Sequence, residues 1–269
     1  MTRFLVNGRE DGRLDPADRG LHYGDGLFET LAVRNGRARF LDWHFERLAE
    51  GARRLGMPLP DTVSLRADIR AACAPDTGVV KLIVTRGRGE RGYRPPADPA
   101  PTRIVAGLSR PAWPDSAWTR GVRLGLCRTR LGRNPALAGI KHLNRLEQVL
   151  ARREWDDERM DEGLMLDDRE LAVCGTQTNL FARIADRWVT PELSQCGVAG
   201  VMRRAFRGWA AEQGDRVIER ELPAAELAGA TALVLTNSLV GAWPVSEFAG
   251  RPMAVDPRVA RFNDWLERQ

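Results

Sequence analysis

The residue best suited to chemistry is a lysine in an arginine-rich chain. The 269 residues include 41 basic side chains, of which Lys81 and Lys141 are lysines and the other 39 are arginines. A guanidinium keeps its proton near neutral pH, whereas a partly desolvated lysine amine can lose it and attack a carbonyl. Schiff-base formation with pyridoxal phosphate is the commonest use of such an amine. Composition alone leaves open whether Lys141 does this or is an ordinary surface cation.

The neighbourhood of Lys141 favours the chemical interpretation. Gly139-Ile140 is small and apolar, and the residues that follow repeat an apolar side chain at helical spacing, at Leu143, Leu146, Val149 and Leu150. This spacing predicts an amphipathic helix to about Trp155, with Lys141 partly desolvated where a turn enters the helix. Lys81 lies in an apolar run, 79–84, and is predicted to be a strand residue whose ammonium reaches solvent.

Three further features suit a phosphate group. Gly197 to Gly200 lead into a predicted helix at 201–212, whose free N-terminal amides could bind an anion, although an ordinary helix cap explains the pattern as well. Thr236, Asn237 and Ser238 follow a predicted buried strand and offer hydrogen-bonding groups. Arg47 lies beside the apolar face of a helix predicted for 41–56. With Lys141, these are the parts that a pyridoxal phosphate site needs.

The elements that position these residues alternate in type and predict a mixed α/β chain. Strands are predicted at 3–6, 27–33, 79–85, 104–109, 122–128, 162–166, 171–173 and 232–235, and a further helix at 62–74. Asn7-Gly8 and Asn35-Gly36 predict hairpin turns. The prolines at 111 and 114 indicate a linker, so we expect an N-terminal α/β domain at 1–112, a linker at 113–120 and a C-terminal cofactor-binding domain at 121–269.

Composition excludes several classes of protein. The net charge is +5, but 36 acidic residues are interspersed with the arginines and no basic run exceeds two residues, which argues against nucleic-acid binding. The four cysteines form no C-x-x-C pair, and no signal peptide or long apolar run is evident. The three histidines are not spaced like metal ligands. We therefore expect a cytoplasmic protein with no metal and no membrane contact.

Four blocks of the sequence resemble a known family. They are D-R-G-L-H-Y-G-D-G-L-F-E-T (18–30), L-G-R-N-P-A-L-A-G-I-K-H-L-N-R-L-E-Q-V-L-A-R (131–152), N-L-F (179–181) and C-G-V-A-G-V-M-R (196–203). These blocks resemble the fold-type IV pyridoxal phosphate enzymes, a group that includes branched-chain and D-amino-acid aminotransferases. The segment after the lysine is most similar to that of the aminodeoxychorismate lyases of folate biosynthesis. The similarity runs from about Leu5 to Val245.

The resemblance implies a two-domain fold-type IV architecture. It has a smaller N-terminal α/β domain, a larger C-terminal domain and pyridoxal 5'-phosphate in the cleft, usually within a homodimer. It implies that Lys141 binds the cofactor covalently. The other positions that match the family's cofactor-binding residues are Arg47, Asn179, Val198, Ala199, Thr236 and Asn237. Arg91 and Tyr93 lie where relatives bind substrate carboxylates, in a loop rich in arginine and glycine.

Cys174 departs from the family pattern. Relatives usually place a glutamate here, five residues before the asparagine, facing the pyridine nitrogen of the cofactor. A thiol is a much weaker partner for a protonated nitrogen than a carboxylate is. This departure argues against a demanding transamination and fits an elimination that ends in an aromatic ring.

The implied function is a pyridoxal-phosphate-dependent lyase that converts 4-amino-4-deoxychorismate to 4-aminobenzoate and pyruvate. Two alternatives stay open at this stage. One is a fold-type IV aminotransferase acting on D-amino or branched-chain amino acids. The other, from a different class, is a non-enzymatic basic binding protein.

Overall fold

The computed structural model describes residues 3–156 and 160–269, which form two compact units. The first unit comprises residues up to Pro111 together with Ile140–Asn144, and the second comprises Ala112–Gly139 and Arg145–Gln269. The predicted division assigned Ile140–Asn144 to the C-terminal domain. In the structure the backbone of this segment hydrogen-bonds to a strand of the first unit.

The first unit is an antiparallel sheet with helices on one face. Its strands lie in the order β1-β5-β4-β2-β3. The strands are β1 (Arg3–Val6), β2 (Gly26–Arg34), β3 (Arg37–Ala38), β4 (Val79–Thr85) and β5 (Thr102–Leu108), and the helices are α1 (Arg19–Tyr23), α2 (Leu41–Leu55) and α3 (Thr62–Ala72). Asn35 and Gly36 have positive φ angles of 50° and 72°, as the predicted Asn-Gly hairpin turn between β2 and β3 requires.

The two faces of this sheet differ because successive strand residues point to opposite sides. On one face Leu27, Leu31 and Leu82 are fully buried. One face of each of α2 and α3 is buried as well, including the predicted α2 positions Phe45, Leu48 and Ala52. The opposite face carries Phe28, Thr30, Lys81 and Ile83, each of which is partly or largely exposed.

The segment that contains Lys141 extends the edge of this sheet beside β2. The amide of Phe28 donates to the carbonyl of Lys141 at 2.9 Å, and the amide of Leu143 donates to that of Gly26 at 3.0 Å. Leu27 and His142 form an antiparallel bridge. Lys141 therefore lies in an extended segment held by a strand, and the helix of the predicted pattern begins five residues later.

The second unit is built on a larger sheet that curls into a ring. Its path is β11-β10-β9-β12-β13-β6-β7-β8, and an additional pairing of β8 with β9 closes six strands into a barrel. The strands are β6 (Val122–Leu131), β7 (Glu162–Asp167), β8 (Ala172–Gly175), β9 (Asn179–Ile184), β10 (Arg187–Pro191), β11 (Ile218–Arg220), β12 (Ala232–Asn237), β13 (Gly241–Phe248) and β14 (Arg251–Pro252). The helices are α4 (Ser116–Thr119), α5 (Leu146–Arg152), α6 (Val201–Glu212) and α7 (Arg258–Leu266), with a 3-10 turn at Ala224–Gly229.

Two segments of this unit differ in detail from what their sequence patterns suggest. Residues 113–120, expected to be a linker, pack into the unit: the rings of Trp113 and Trp118 lie 5.4 Å and 5.8 Å from that of Trp243. The indole of Trp118 also donates to the carbonyl of Val240 at 2.8 Å. Helix α5, expected to be amphipathic and to reach about Trp155, has seven residues, and three of its apolar side chains are largely exposed, at Leu146, Val149 and Leu150.

Within the described residues, the helices are too short and too polar for any of them to cross a membrane.

Candidate active site

Lys141 is held over an aromatic ring of the first unit. Its carbonyl accepts from Phe28 of β2, and its Nζ atom lies 4.2 Å from the centre of the Phe28 ring. The side chain is half-buried. A cation over a ring face gains electrostatic energy from the ring quadrupole while the ring displaces water. The structure therefore confines the amine on the partly exposed face of the sheet.

A buried ionic network lies on the opposite face of β2. Glu29 is 1% exposed and accepts from Nε of Arg47 at 2.8 Å, and from Nη2 of the same guanidinium. Its Oε2 atom lies 2.6 Å from Nδ1 of His44. Because a carboxylate can only accept, Nδ1 of His44 carries the proton in this bond. Arg47, predicted to bind phosphate, thus commits two of its nitrogens to Glu29.

Burial and the neighbouring charges determine the pKa values of Glu29 and His44 in this network. Burial on its own would raise the pKa of Glu29, but the charge of Arg47 and the hydrogen bonds from His44 and Arg47 outweigh it and lower that pKa to about 2. Burial lowers the pKa of His44, and the charges of Arg47 and Lys141 act in the same direction against the attraction of Glu29. Near neutral pH the network therefore holds a carboxylate, a guanidinium and a neutral imidazole.

In the second unit, three of the predicted cofactor residues stand in a row across neighbouring strands. Asn179 on β9 pairs directly with Cys174 on β8 and with Thr236 on β12. Residues directly opposite each other in antiparallel strands share a face of the sheet. The structure therefore brings Cys174, Asn179 and Thr236 side by side, although 62 positions separate Cys174 from Thr236 in the sequence.

The loop before α6 is hydrogen-bonded to Asn179, the middle residue of this row. The side-chain amide of Asn179 donates to the carbonyl of Val198 at 2.8 Å. A Cβ atom at Gly200 would lie 2.0 Å from Oδ1 of Asn179, so the approach requires glycine at that position. Helix α6 begins at Val201, as predicted, with no side-chain cap on its first amides. These amides lie at the positive end of a twelve-residue helix, which suits an anion.

The backbone amides of Val198 and Ala199 are not equally available to a phosphate. The amide of Ala199 donates to the carbonyl of Gly139 at 2.9 Å, and the amide of Gly139 donates to the carbonyl of Gly197 at 3.0 Å. In such a parallel bridge the amide of Val198 points to the other side. Ala199 was predicted to give its amide to the phosphate, and its bond to Gly139 leaves that amide already occupied.

Thr236 and Asn237 also differ in whether their side chains already have hydrogen-bond partners. Thr236 is fully buried, and its hydroxyl has no hydrogen-bond partner among the described residues. A buried hydroxyl without a partner is costly, so this orphaned group fits a ligand oxygen. Oδ1 of Asn237 already accepts from the amides of Leu239 and Val240, at 2.9 Å and 3.0 Å. The Asn237 side chain therefore holds the turn that follows β12.

Cys174 is a buried, neutral thiol. Burial, together with the neighbouring Cys196 and Glu162, raises its pKa to about 12. Glu162 is itself buried and accepts from the amide and hydroxyl of Thr176 and from the hydroxyl of Thr178. Burial raises the pKa of Glu162 as well. This carboxyl holds the turn between β8 and β9 and so fixes the spacing of Cys174 and Asn179.

The two residues predicted for the substrate lie in the exposed loop after β4. Arg91 is exposed, and Tyr93 is 84% exposed, with its ring 5.4 Å from that of Tyr23. Earlier in the loop, Arg86 is buried, and its guanidinium donates hydrogen bonds to Asp25 and to the carbonyl of Leu55. Roles for Arg91 and Tyr93 stay predictions.

Sequence reasoning missed Glu29 and His44, and it treated Lys81 only as a strand residue whose ammonium reaches solvent, which the structure confirms. Glu29 falls among the inward-facing positions of β2, and a charge at such a position signals a buried ion pair.

Comparison with known proteins places the chain in a family. The class IV amino-transferase model matches residues 26–248. Aminodeoxychorismate lyase of Vibrio harveyi is 34% identical over 265 residues, covering 98% of each chain. The crystal structure of 4-amino-4-deoxychorismate lyase from Pseudomonas aeruginosa superposes with a TM-score of 0.94 at 50% identity, covering 99% of this chain and 98% of that one.

A more distant structure shares the fold. It is the pyridoxal-phosphate-bound form of a hypothetical aminotransferase from Mycobacterium tuberculosis, with a TM-score of 0.83 at 24% identity, covering 99% of this chain and 98% of that one. The predicted α/β fold-type IV architecture is confirmed, with a small antiparallel N-terminal sheet and a larger unit that contains a barrel. The chain therefore belongs to the class IV aminotransferase family of enzymes.

Proposed function

We propose that this protein is a pyridoxal-phosphate-dependent lyase that converts 4-amino-4-deoxychorismate to 4-aminobenzoate and pyruvate. The observation that carries the proposal is the full-length similarity to two aminodeoxychorismate lyases, at 34% and 50% identity. The half-buried amine of Lys141 over Phe28 supports the cofactor, and so does the pyridoxal phosphate in the related Mycobacterium tuberculosis structure.

The residues present fit pyridoxal phosphate. Lys141 supplies the amine for covalent attachment, and Arg47, whose Nε and Nη2 atoms Glu29 holds, is the proposed guanidinium contact of the phosphate. In the second unit the orphaned hydroxyl of Thr236, the amide of Val198 and the first turn of α6 are donors for a phosphate. When bound, the cofactor supplies an electron sink for the carbon that bears the substrate amine.

The chain's own residues would then move one proton. The Nζ atom of Lys141 removes the proton from the amine-bearing ring carbon and acts as a general base. The bond from the neighbouring ring carbon to the enolpyruvyl oxygen breaks with its electron pair on oxygen, and the leaving enolate takes up one proton to become pyruvate. The ring that remains is aromatic, which provides driving force. Glu29 and His44 keep Arg47 in place on the other face of β2 throughout.

Cys174 supports elimination over transamination. With a pKa near 12 the thiol is neutral, so it offers no negative charge to keep a pyridine nitrogen protonated. A weaker electron sink is sufficient where aromatisation drives the reaction. We also propose that the protein works in the cytoplasm, in keeping with its four free cysteines. We propose that it forms a homodimer, as the resemblance to the fold-type IV enzymes implies.

The second candidate is transamination of D-amino or branched-chain amino acids, which the family's description favours. It would need a keto acid as co-substrate and would return the cofactor in its amine form.

The deciding experiment is to incubate the purified, cofactor-loaded protein with 4-amino-4-deoxychorismate and assay pyruvate and 4-aminobenzoate. We expect both products in equal amounts without any keto acid. Lys141→Arg should abolish the visible absorbance of the bound cofactor and the turnover, because a guanidinium cannot attack the aldehyde. Pyruvate release by Lys141→Arg near the wild-type rate would refute the role of Lys141. Products formed only when a keto acid is added would favour the aminotransferase.

A further inference from the structure

The long loop between β4 and β5 is fastened to the segment that precedes β2. Residues 86–101 form no helix or strand, and loops longer than roughly 15 residues without secondary structure are uncommon and usually functional. The hydroxyls of Thr85 and Thr102, which pair across the two strands, both donate to Oδ2 of Asp18, at 2.9 Å and 2.7 Å. Asp18 is fully buried, so its carboxylate holds the two ends of the loop together.

Arg19, the next residue, holds the far part of the same loop. Its side chain is 4% exposed, and its Nε atom donates to the carboxylate of Asp25 at 2.8 Å. The two terminal nitrogens donate to three successive carbonyls of the loop, those of Gly92 (3.1 Å), Tyr93 (2.8 Å) and Arg94 (3.4 Å). A planar guanidinium can make all these bonds at once, whereas an ammonium has a single nitrogen.

The loop also packs against the stem and the charge of Arg19. A Cβ atom at Gly89 would lie 2.7 Å from Cδ of Arg19, so this close approach requires glycine. The guanidinium carbon lies 4.9 Å from the centre of the Tyr23 ring, which in turn lies 5.4 Å from the ring of Tyr93. Tyr93 is 84% exposed and gains little from burial, so its order depends on these contacts.

We propose that Arg19 is a positioning residue for substrate binding, an inference that rests on the proposed function. It holds the loop so that Arg91 and Tyr93 are in place before a substrate carboxylate arrives. An unfastened loop would populate many conformations, and the apparent affinity falls by the fraction that can bind. Asp25 keeps Arg19 in place, because Arg86 binds the same carboxylate from the other side of the loop's origin, at 2.7 Å and 3.0 Å.

Two variants would loosen the loop from opposite sides of the contact. Arg19→Lys keeps a positive charge beside Asp25 but offers one nitrogen in place of three. Gly89→Ala leaves Arg19 unchanged and displaces the loop from its stem, so it tests the inference even if Arg19→Lys does not fold. Arg88→Lys is the matched control, since Arg88 lies in the same loop and its side chain is 78% exposed. All are loaded with pyridoxal phosphate.

Steady-state kinetics measure the effect on the reaction. We expect Arg19→Lys and Gly89→Ala each to raise the KM for 4-amino-4-deoxychorismate about tenfold, as when a tenth of the molecules have an ordered loop. The kcat should stay within about twofold of the wild type, and the visible absorbance of the cofactor should not change. An unchanged KM in both variants would overturn the inference. A fall in kcat as large as the rise in KM would overturn it too, because that indicates general damage.

Tyrosine-labelled NMR observes the loop without substrate. Tyr23 and Tyr93 are the two tyrosines of the chain, so selective ring labelling gives two sets of signals. The wild type should show a cross-peak between the rings, whose centres lie 5.4 Å apart. We expect its loss in Arg19→Lys and Gly89→Ala and its retention in Arg88→Lys, and a cross-peak kept in all three would contradict the role of Arg19. A wild-type protein that releases no pyruvate would refute the proposed function, whereas these signals would still show whether Arg19 holds the loop.

Discussion

The candidate residues of the first unit lie in an ionic network, whereas those of the second unit are neutral groups aligned by strand pairing. Glu29, His44 and Arg47 are held by charge and by short hydrogen bonds. Cys174, Asn179 and Thr236 are held by the register of β8, β9 and β12. The first arrangement depends on every charged member being present, because an unpaired buried charge is costly. The second arrangement tolerates substitution of one side chain, because the backbone carries the geometry.

The largest effect should come from breaking the ionic network. Glu29→Gln keeps the shape of the side chain and removes its charge, which leaves the guanidinium of Arg47 without its partner. We expect a loss of about 3 kcal/mol in the free energy of unfolding, typical of a broken buried pair. Denaturant unfolding of the purified protein measures this. Glu50→Gln is the matched control, since Glu50 pairs with Arg53 on the exposed surface and its loss should have a much smaller effect on stability. Equal losses in the two variants would show that the network is not stabilising.

A smaller effect of opposite sign is expected at Thr236. Thr236→Val removes a buried hydroxyl that has no partner among the described residues, so the cofactor-free protein should gain about 1 kcal/mol of stability. The same variant should bind pyridoxal phosphate more weakly, because a phosphate donor is lost.

Thr190→Val is the control for this change. Thr190 is also fully buried, but its hydroxyl donates to the carbonyl of Leu180 at 2.8 Å. Its loss should destabilise the protein by about 1 kcal/mol. Thermal unfolding of both cofactor-free variants measures the two shifts. A Thr236→Val protein less stable than the wild type would contradict the assignment of an orphaned hydroxyl.

The ionic network should also make stability depend on pH. The folded pKa of His44 is lowered below its ordinary value of 6.5, so the unfolded chain takes up a proton more readily as the pH falls. The contribution of His44 is therefore complete above about pH 6.5 and is lost toward acid pH. His44→Gln should make the decline in stability from pH 7 to pH 5 shallower by roughly 1 kcal/mol. Chemical unfolding at several pH values tests this, with His22→Gln as the exposed control. An unchanged slope in His44→Gln would mean that another group titrates.

The smallest effect is expected at Cys174. Both a thiol with a pKa near 12 and a serine hydroxyl are neutral at neutral pH, and strand pairing holds the backbone in either case. Cys174→Ser should therefore retain most of the lyase activity, measured as pyruvate release at saturating substrate. A collapse of activity with normal cofactor absorbance would give the thiol a specific role.

Much of the framework was predictable because it depends on local patterns. Strand β1 and the Asn-Gly turn after β2 follow from alternation and turn chemistry. The starts of β4 and α6 were predicted to the residue. The helix after Lys141 was predicted in kind but not in extent, because apolar spacing alone cannot show that Leu146, Val149 and Leu150 are exposed.

The candidate site was likewise predictable only where it depends on local sequence. Composition marked two lysines among 39 arginines, and the local pattern around Lys141 favoured that lysine as the candidate for chemistry that a guanidinium cannot perform. Only the tertiary structure shows that Asn179 pairs with Thr236 and that Glu29 forms an ion pair with Arg47. It also shows that Lys81 lies beside the Phe28 ring, which Lys141 contacts too. Such contacts join residues far apart in the chain, and strand register and burial decide them, neither of which a local pattern contains.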